Sequence, residues 1–219
     1  MSDQLADQML NVLKQSGVGA RICMTSMDTP LGLYSGNLWE VKESIDILQG
    51  KGPARSSQLT KELAQRLLSA ANISEERANS LIASKINSGE AYAQWERAVI
   101  AQGGSLKKLA QSFASISKMK SFSLKASQRG YLRFDVTGVG MALGELGGGR
   151  LTKKDKIDPW VGFYHPLETG AKIESGDEIV RIFYRDKPRL NRCLLRLKSA
   201  VVVQDEPISK IPLIVKDLT

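Results

Sequence analysis

The stretch from Thr25 to Glu43, TSMDTPLGLYSGNLWEVKE, constrains the fold more than any other part of the chain. The segment leading into it, RICMTSM from Arg21 to Met27, is rich in residues that suit a half-buried strand. Asp28, Pro30 and Gly32 break that strand into a loop. Asn37 with Glu40 three residues on reads as a capping box, which starts a helix near Leu38. The unit is strand, Gly/Pro-punctuated loop, helix. Open α/β sheets place their ligands on loops that leave the carboxyl end of a strand in this way.

The remaining sequence falls into two textures. Leu5, Met9, Val12 and Leu13 sit at helical spacing, and Gly17 can end that helix. From Gln58 to about Ala114 the pattern is helical but broken. Ser74 and Ser105 are suited to capping helix N-termini, and Gly89 and Gly103-Gly104 to stopping helices. After Ser115, Phe122, Leu124 and Ala126 alternate with polar residues, and Tyr131 to Val136 is a further strand. Helices are expected over 137–146 and 189–200, and closing strands over 201–203 and 213–215. The expectation is therefore an α/β chain with a helix-rich part over 1–117 and a smaller α+β subdomain over 118–219.

Composition excludes several classes. No apolar run approaches the ~20 residues needed to span a bilayer. The start, MSDQLADQML, has two acids and no basic region, unlike a secretory signal, so a cytoplasmic location is the default. Cys23 and Cys193 lie far apart with no CxxC or His-rich spacing and read as two buried free thiols. The net charge of +8 concentrates over Arg181 to Lys198. There Leu190, Leu194, Leu197 and Val201 share one helical stripe and Arg189, Arg192 and Arg196 another, an amphipathic surface helix with a solvated basic face. No helix-turn-helix or aromatic-interleaved pattern accompanies it, so charge alone does not argue for nucleic acid.

Gly138-x-Gly140-x-x-x-Gly144 with Asp158 downstream imitates a dinucleotide fingerprint, but only one strand–helix unit surrounds it. Close helix–strand packing through small residues is the better reading. His165, the single histidine, precedes Pro166 in an apparent loop, and no GxSxG elbow exists to build a hydrolase around it.

Met27-Asp28, Pro30-Leu31-Gly32, Gly36-Asn37, Glu40-Val41 and Glu43 resemble the MD-x-PLG-x-x-x-GN-x-x-EV-x-E signature of thymidine and pyrimidine-nucleoside phosphorylases. Leu146 to Arg150, Ile157-Asp158 and Val161-Gly162 resemble that family's LG-x-GR…ID…VG run, and Gly170 to Ile182 its G-x-x-V-x-x-GD-x-L-x-x-I segment. The resemblance covers nearly the whole chain but only the second half of the family's sequence. It implies the latter part of a phosphorylase-type α/β domain followed by a barrel-like C-terminal subdomain. Residues 170–182 also resemble the lipoyl and biotinyl carrier hairpin, with Gly-Asp in the turn but without the Met-Lys pair that carries the prosthetic group.

The family reaction is phosphorolysis of a pyrimidine nucleoside to free base and pentose 1-phosphate. The family's Lys-His-Ser phosphate motif and Gly-rich loop have no counterpart here, and Ser115-x-Ser117-Lys118 lies on the wrong side of the MD-x-PLG motif to be its base-reading Ser-Lys stretch. Phosphorolysis needs donors that orient phosphate and stabilise the departing base. The resemblance thus implies half of a split enzyme completed by a separately encoded N-terminal half, or a truncated inactive form. The alternative is a noncatalytic binding or structural module using the C-terminal subdomain and basic helix. By motif position, the resemblance further implies that the carbonyls of Leu31 and Tyr34 and the carboxylate of Glu43 are ligands of a potassium ion. No catalytic or substrate-binding residue is assigned.

Overall fold

The structure is a computed structural model that describes residues 2–209 and 211–218. Helix α1 (Ser2–Gln15) leads into strand β1 (Ile22–Thr25), the Pro/Gly loop, a two-residue strand β2 (Tyr34–Ser35) and helix α2 (Asn37–Leu48). Four helices follow: α3 (Ala54–Ala70), α4 (Glu75–Asn87), α5 (Glu90–Ala101) and α6 (Leu106–Ile116). Local chemistry divides them as expected. Ser74 accepts a hydrogen bond from the Arg77 N–H and Ser105 from the Lys108 N–H, each capping a helix, while Gly89 and Gly103 sit at positive φ in the breaks.

The C-terminal part comprises β3 (Lys120–Lys125), β4 (Gly130–Phe134), α7 (Val136–Leu146), β5 (Gly162–Tyr164), β6 (Lys172–Ile173), β7 (Glu178–Tyr184), α8 (Lys187–Ala200), β8 (Val201–Gln204) and β9 (Ile214–Leu218). Strands and helices are mixed as expected, but every strand pair among the described residues is antiparallel. Strand β1 therefore does not enter a parallel sheet beside α2. It pairs with β9 in a two-stranded ribbon, Ile22 opposite Leu218.

The expected barrel-like subdomain is not present. The strands form three open sheets, β1-β9, β2-β5-β7-β3 and β6-β4-β8. A barrel requires staggered, tilted strands that close on themselves and fill the interior with their own side chains. Here the outer strands of each sheet stay apart, and the interior is filled by a helix pair instead. Val139, Ala142 and Leu146 of α7 and Leu190, Cys193 and Leu197 of α8 pack with Leu132, Phe163, Val180 and Ile182 from two different sheets. The stretch 170–182 is not a hairpin either. Its Gly176-Asp177 turn exists, with the Asp177 carboxylate accepting from the Glu174 N–H at 2.8 Å. The flanking strands nevertheless diverge, β6 onto β4 and β7 onto β3 and β5.

Of the α7 glycines, Gly138 serves helix–helix rather than helix–strand packing, while Gly140 faces open space and Gly144 faces Leu151. A Cβ on Gly138 would stand 2.7 Å from the Cβ of Ala200, so its absence lets α7 and α8 approach. Burial pushes the Cys193 thiol up to about 12, the mark of an inert core cysteine, whereas Cys23 is only half-buried. Among the described residues no helix is long and apolar enough to cross a membrane.

Candidate functional site

The loop between β1 and α2 is fastened to the C-terminal part at every turn. β2 pairs with β5, Tyr34 opposite Tyr164 and Ser35 opposite Phe163. The His165 N–H donates to the Leu33 carbonyl at 2.6 Å. Buried Thr169 donates its hydroxyl to the Asp28 carbonyl at 2.8 Å, and its N–H to the hydroxyl of buried Thr29 at 3.1 Å. Trp39 stacks on Phe183 at 3.9 Å and donates its indole N–H to the Trp160 carbonyl at 2.9 Å.

Much of the motif chemistry turns out to be architectural. Gly36 and Gly162, from two motif blocks far apart in sequence, face each other. A Cβ on Gly36 would lie 2.5 Å from the Val161 carbonyl oxygen, and one on Gly162 2.5 Å from that of Ser35. Side chains there would force β2 off β5. Gly36 also holds φ at 123° as the residue preceding α2, which no L side chain adopts comfortably. The helix cap thus falls one residue earlier than the Asn37 reading, and Glu40 reaches back to the Gly36 N–H at 2.7 Å. Gly147 ends α7 in the left-handed conformation, its carbonyl accepts from the Asp158 N–H, and the Asp158 carboxylate accepts from the Trp160 N–H.

Beneath the loop lies Glu43, buried on α2. Its Oε2 accepts from the N–H groups of Leu33 at 2.8 Å and Tyr34 at 3.1 Å, and its Oε1 from the hydroxyl of buried Ser56 on α3 at 3.1 Å. Gly32 makes room for this carboxylate, since a Cβ there would fall 1.8 Å from Oε1. Burial raises the Glu43 carboxyl above the usual range, and the three donors only partly oppose that. Among the described residues Glu43 makes no ion pair within 4 Å.

A cavity of about 440 Å3 opens beside Glu43, lined also by Leu31, Tyr34, Ser35 and Ser56 on one side and Val139 of α7 on the other. The structure therefore brings Leu31, Tyr34 and Glu43 to one cavity. The Leu31 side chain is largely exposed, and Tyr34 stacks on Trp39 at 5.5 Å. Among the described residues no cluster of three or more His, Cys, Asp or Glu side chains is arranged to hold a metal.

Ser56, which lines the cavity, carries no motif signal. His165 follows β5 outside any strand or helix, as its place before Pro166 suggests, but it is buried, held edge-on between Phe134 and Phe163, with Nε2 3.0 Å from the Ser35 hydroxyl. Its Nδ1 has no hydrogen-bond partner, and burial lowers its pKa to about 4. A ring so held is neutral at pH 7, and its Nε2 fixes the Ser35 hydroxyl at the cavity wall. Asp28 takes hydrogen bonds from Ser26 and Arg55, the latter at 3.3 Å, which steadies the loop's start. On α8, Arg192 pairs with Glu145 at 3.3 Å, while Leu190, Cys193 and Leu197 are buried beneath the arginine face.

Residues 132–204 match the family model for the pyrimidine nucleoside phosphorylase C-terminal domain. A pyrimidine-nucleoside phosphorylase of Staphylococcus aureus is 29% identical to this chain over 211 residues, which is 95% of this chain and 48% of that protein. A thymidine phosphorylase of Colwellia psychrerythraea is 30% identical over 207 residues, covering 92% of this chain and 47% of its own length. The chain spans about half the length of the curated relatives it matches.

Proposed function

We propose that this chain, which corresponds to the C-terminal part of the pyrimidine-nucleoside phosphorylase family, supplies one wall of a phosphorolytic site and requires the remaining half to act. The reaction so completed is phosphorolysis of a pyrimidine nucleoside to free base and pentose 1-phosphate. The observation that supports this reading is the placing of the loop's motif residues around a buried carboxylate, held by three hydrogen-bond donors, at the edge of a cavity. The chain itself offers no Lys-His-Ser phosphate motif and no identified base-reading pair.

Within that reading Glu43, with the Leu31 and Tyr34 carbonyls, forms this chain's share of a potassium site. The donor set fits a hard monovalent cation in kind, being all oxygen, and the buried Glu43 carboxylate lacks a cationic partner. Potassium, when bound, supplies positive charge beside the phosphate. The chain's own residues do the positioning. Glu43 holds the Leu33 and Tyr34 amides, so the backbone of the loop is set before any ligand arrives.

The test is phosphorolysis of thymidine and uridine. The purified chain alone is expected to turn over neither above background, and robust turnover by a clean sample of it would refute the reading. Co-expressed with the half of a relative that it does not span, it is expected to gain potassium-dependent activity. Glu43→Gln keeps the shape of the side chain but deletes its charge, and is expected to weaken that potassium dependence by ten-fold or more. Unchanged dependence would return Glu43 to a purely structural role.

A further inference from the structure

The ribbon of β1 and β9 is the least completed part of the fold. Lys216 and Asp217 are neighbours on β9, so their side chains point to opposite faces. Lys216 bonds Asp3 of α1 at 2.6 Å, and Asp217 bonds Arg66 of α3 at 2.7 Å. The ribbon is thus sandwiched between α1 and α3. A lone two-stranded ribbon is marginal, and three or more strands ordinarily complete such a layer.

The side chains agree with an unfinished layer. On α1, Ala6 and Leu10 are buried, but Leu5, Met9 and Val12 form an adjoining stripe that is 58%, 51% and 61% exposed. On α3, Leu63 and Leu67, one turn apart, are also exposed. The two edges of the ribbon differ. β9 carries Lys216 and Asp217, charges of the kind that discourage strand addition. β1 reads Ile-Cys-Met-Thr, uncharged, free of proline and half-buried along its whole length, and it has no second strand neighbour among the described residues.

We infer that the outer edge of β1, with the exposed apolar stripe of α1, is the docking surface for a polypeptide corresponding to the part of the relatives that this chain does not span, which adds a strand to β1. This rests on the reading that the chain supplies half of a site. The unspanned part is about half of each relative, long enough to bring strands of its own. The loop that follows β1 in sequence holds exposed Met27 and then Leu31, which lines the cavity beside Glu43.

The experiment co-expresses this chain with the unspanned part of the Colwellia psychrerythraea thymidine phosphorylase, tagged, and measures co-purification, affinity and amide exchange over residues 22–25. Binding is expected, with exchange over 22–25 slowed at least ten-fold. The double variant Leu5→Lys, Met9→Lys changes only exposed positions and is expected to weaken binding at least ten-fold with its circular dichroism unchanged. Absence of binding, or binding that leaves both 22–25 exchange and the double variant's affinity untouched, overturns the inference. So does a homodimer of this chain that the same variants dissolve, which would make a second copy the occupant. A complex that forms as described but performs no phosphorolysis would count against the proposed reaction and leave the docking surface standing.

Discussion

Lowering the pH should destabilise this protein well before its exposed carboxylates are exhausted, because of one imidazole. His165 is buried against Phe134 and Phe163, and burial lowers its pKa from 6.5 to about 4. In the unfolded chain the ring takes a proton near pH 6.5; in the folded protein it does not until about pH 4. The unfolded state therefore binds more protons in that window. The stability contributed by the neutral ring is fully present above pH 6.5 and is lost as pH falls toward 4. Each pH unit is worth about 1.4 kcal/mol, so the loss is about 2 kcal/mol between pH 6.5 and 5 and about 3 kcal/mol by pH 4. Glu43 acts in the opposite sense, since burial raises its carboxyl, and its contribution grows as pH falls toward the ordinary carboxylate range. The clean measurement is urea unfolding at pH 7.5, 6.5, 5.5 and 5.0 in a Glu43→Gln background, with and without His165→Gln. This is the sole histidine, so its imidazole resonance can be followed without assignment. A slope that survives His165→Gln, or an imidazole that titrates near 6.5 in the folded protein, would refute the reasoning.

Gly32→Ala should destabilise the fold by about 2 kcal/mol in urea unfolding, because the new Cβ would overlap the Glu43 carboxylate and break its bonds to the loop; a loss below about 0.5 kcal/mol would show the loop yields freely. Limited proteolysis should cut first at 115–120, where α6 ends and β3 has not begun, consistent with a division at 117/118. The two fragments should stay associated under native conditions, since β1 with β9 and β2 with β5 pair across the cut; first cleavage within 130–185 would contradict the division.

What could be read from the sequence was what short-range chemistry decides. Ser74 and Ser105 act on amides three residues away, and Gly89 and Gly103 act on their own φ, so the helix breaks were visible. The α8 stripe was visible for the same reason, its period being set within one element. Strand partnership is not local. Nothing in Tyr34-Ser35 announces a strand, and it becomes one only because Gly36 and Gly162 allow β5 to come close. The barrel expectation failed at this level: a Gly-Asp turn fixes the turn but not which sheets its two arms join. Leu31, Tyr34 and Glu43, singled out by motif position, line one cavity. The grip of Glu43 on Ser56 and of His165 on Ser35 depends on side chains that only the fold brings together.

The pairing of Ile22 with Leu218 has a consequence for the order in which the molecule is assembled. Closing that contact encloses almost the whole chain, and long enclosures come late because their entropy must be met before any contact rewards it. During synthesis β1 emerges before β9 and waits for it, while Tyr34 and Ser35 wait for β5. The helices from α3 to α6 can form meanwhile from their own local signals. The loop around Glu43 is thus among the last regions to take shape on a ribosome. Its uncharged neighbouring strand is the segment most in need of shelter by a chaperone until the C-terminal residues arrive.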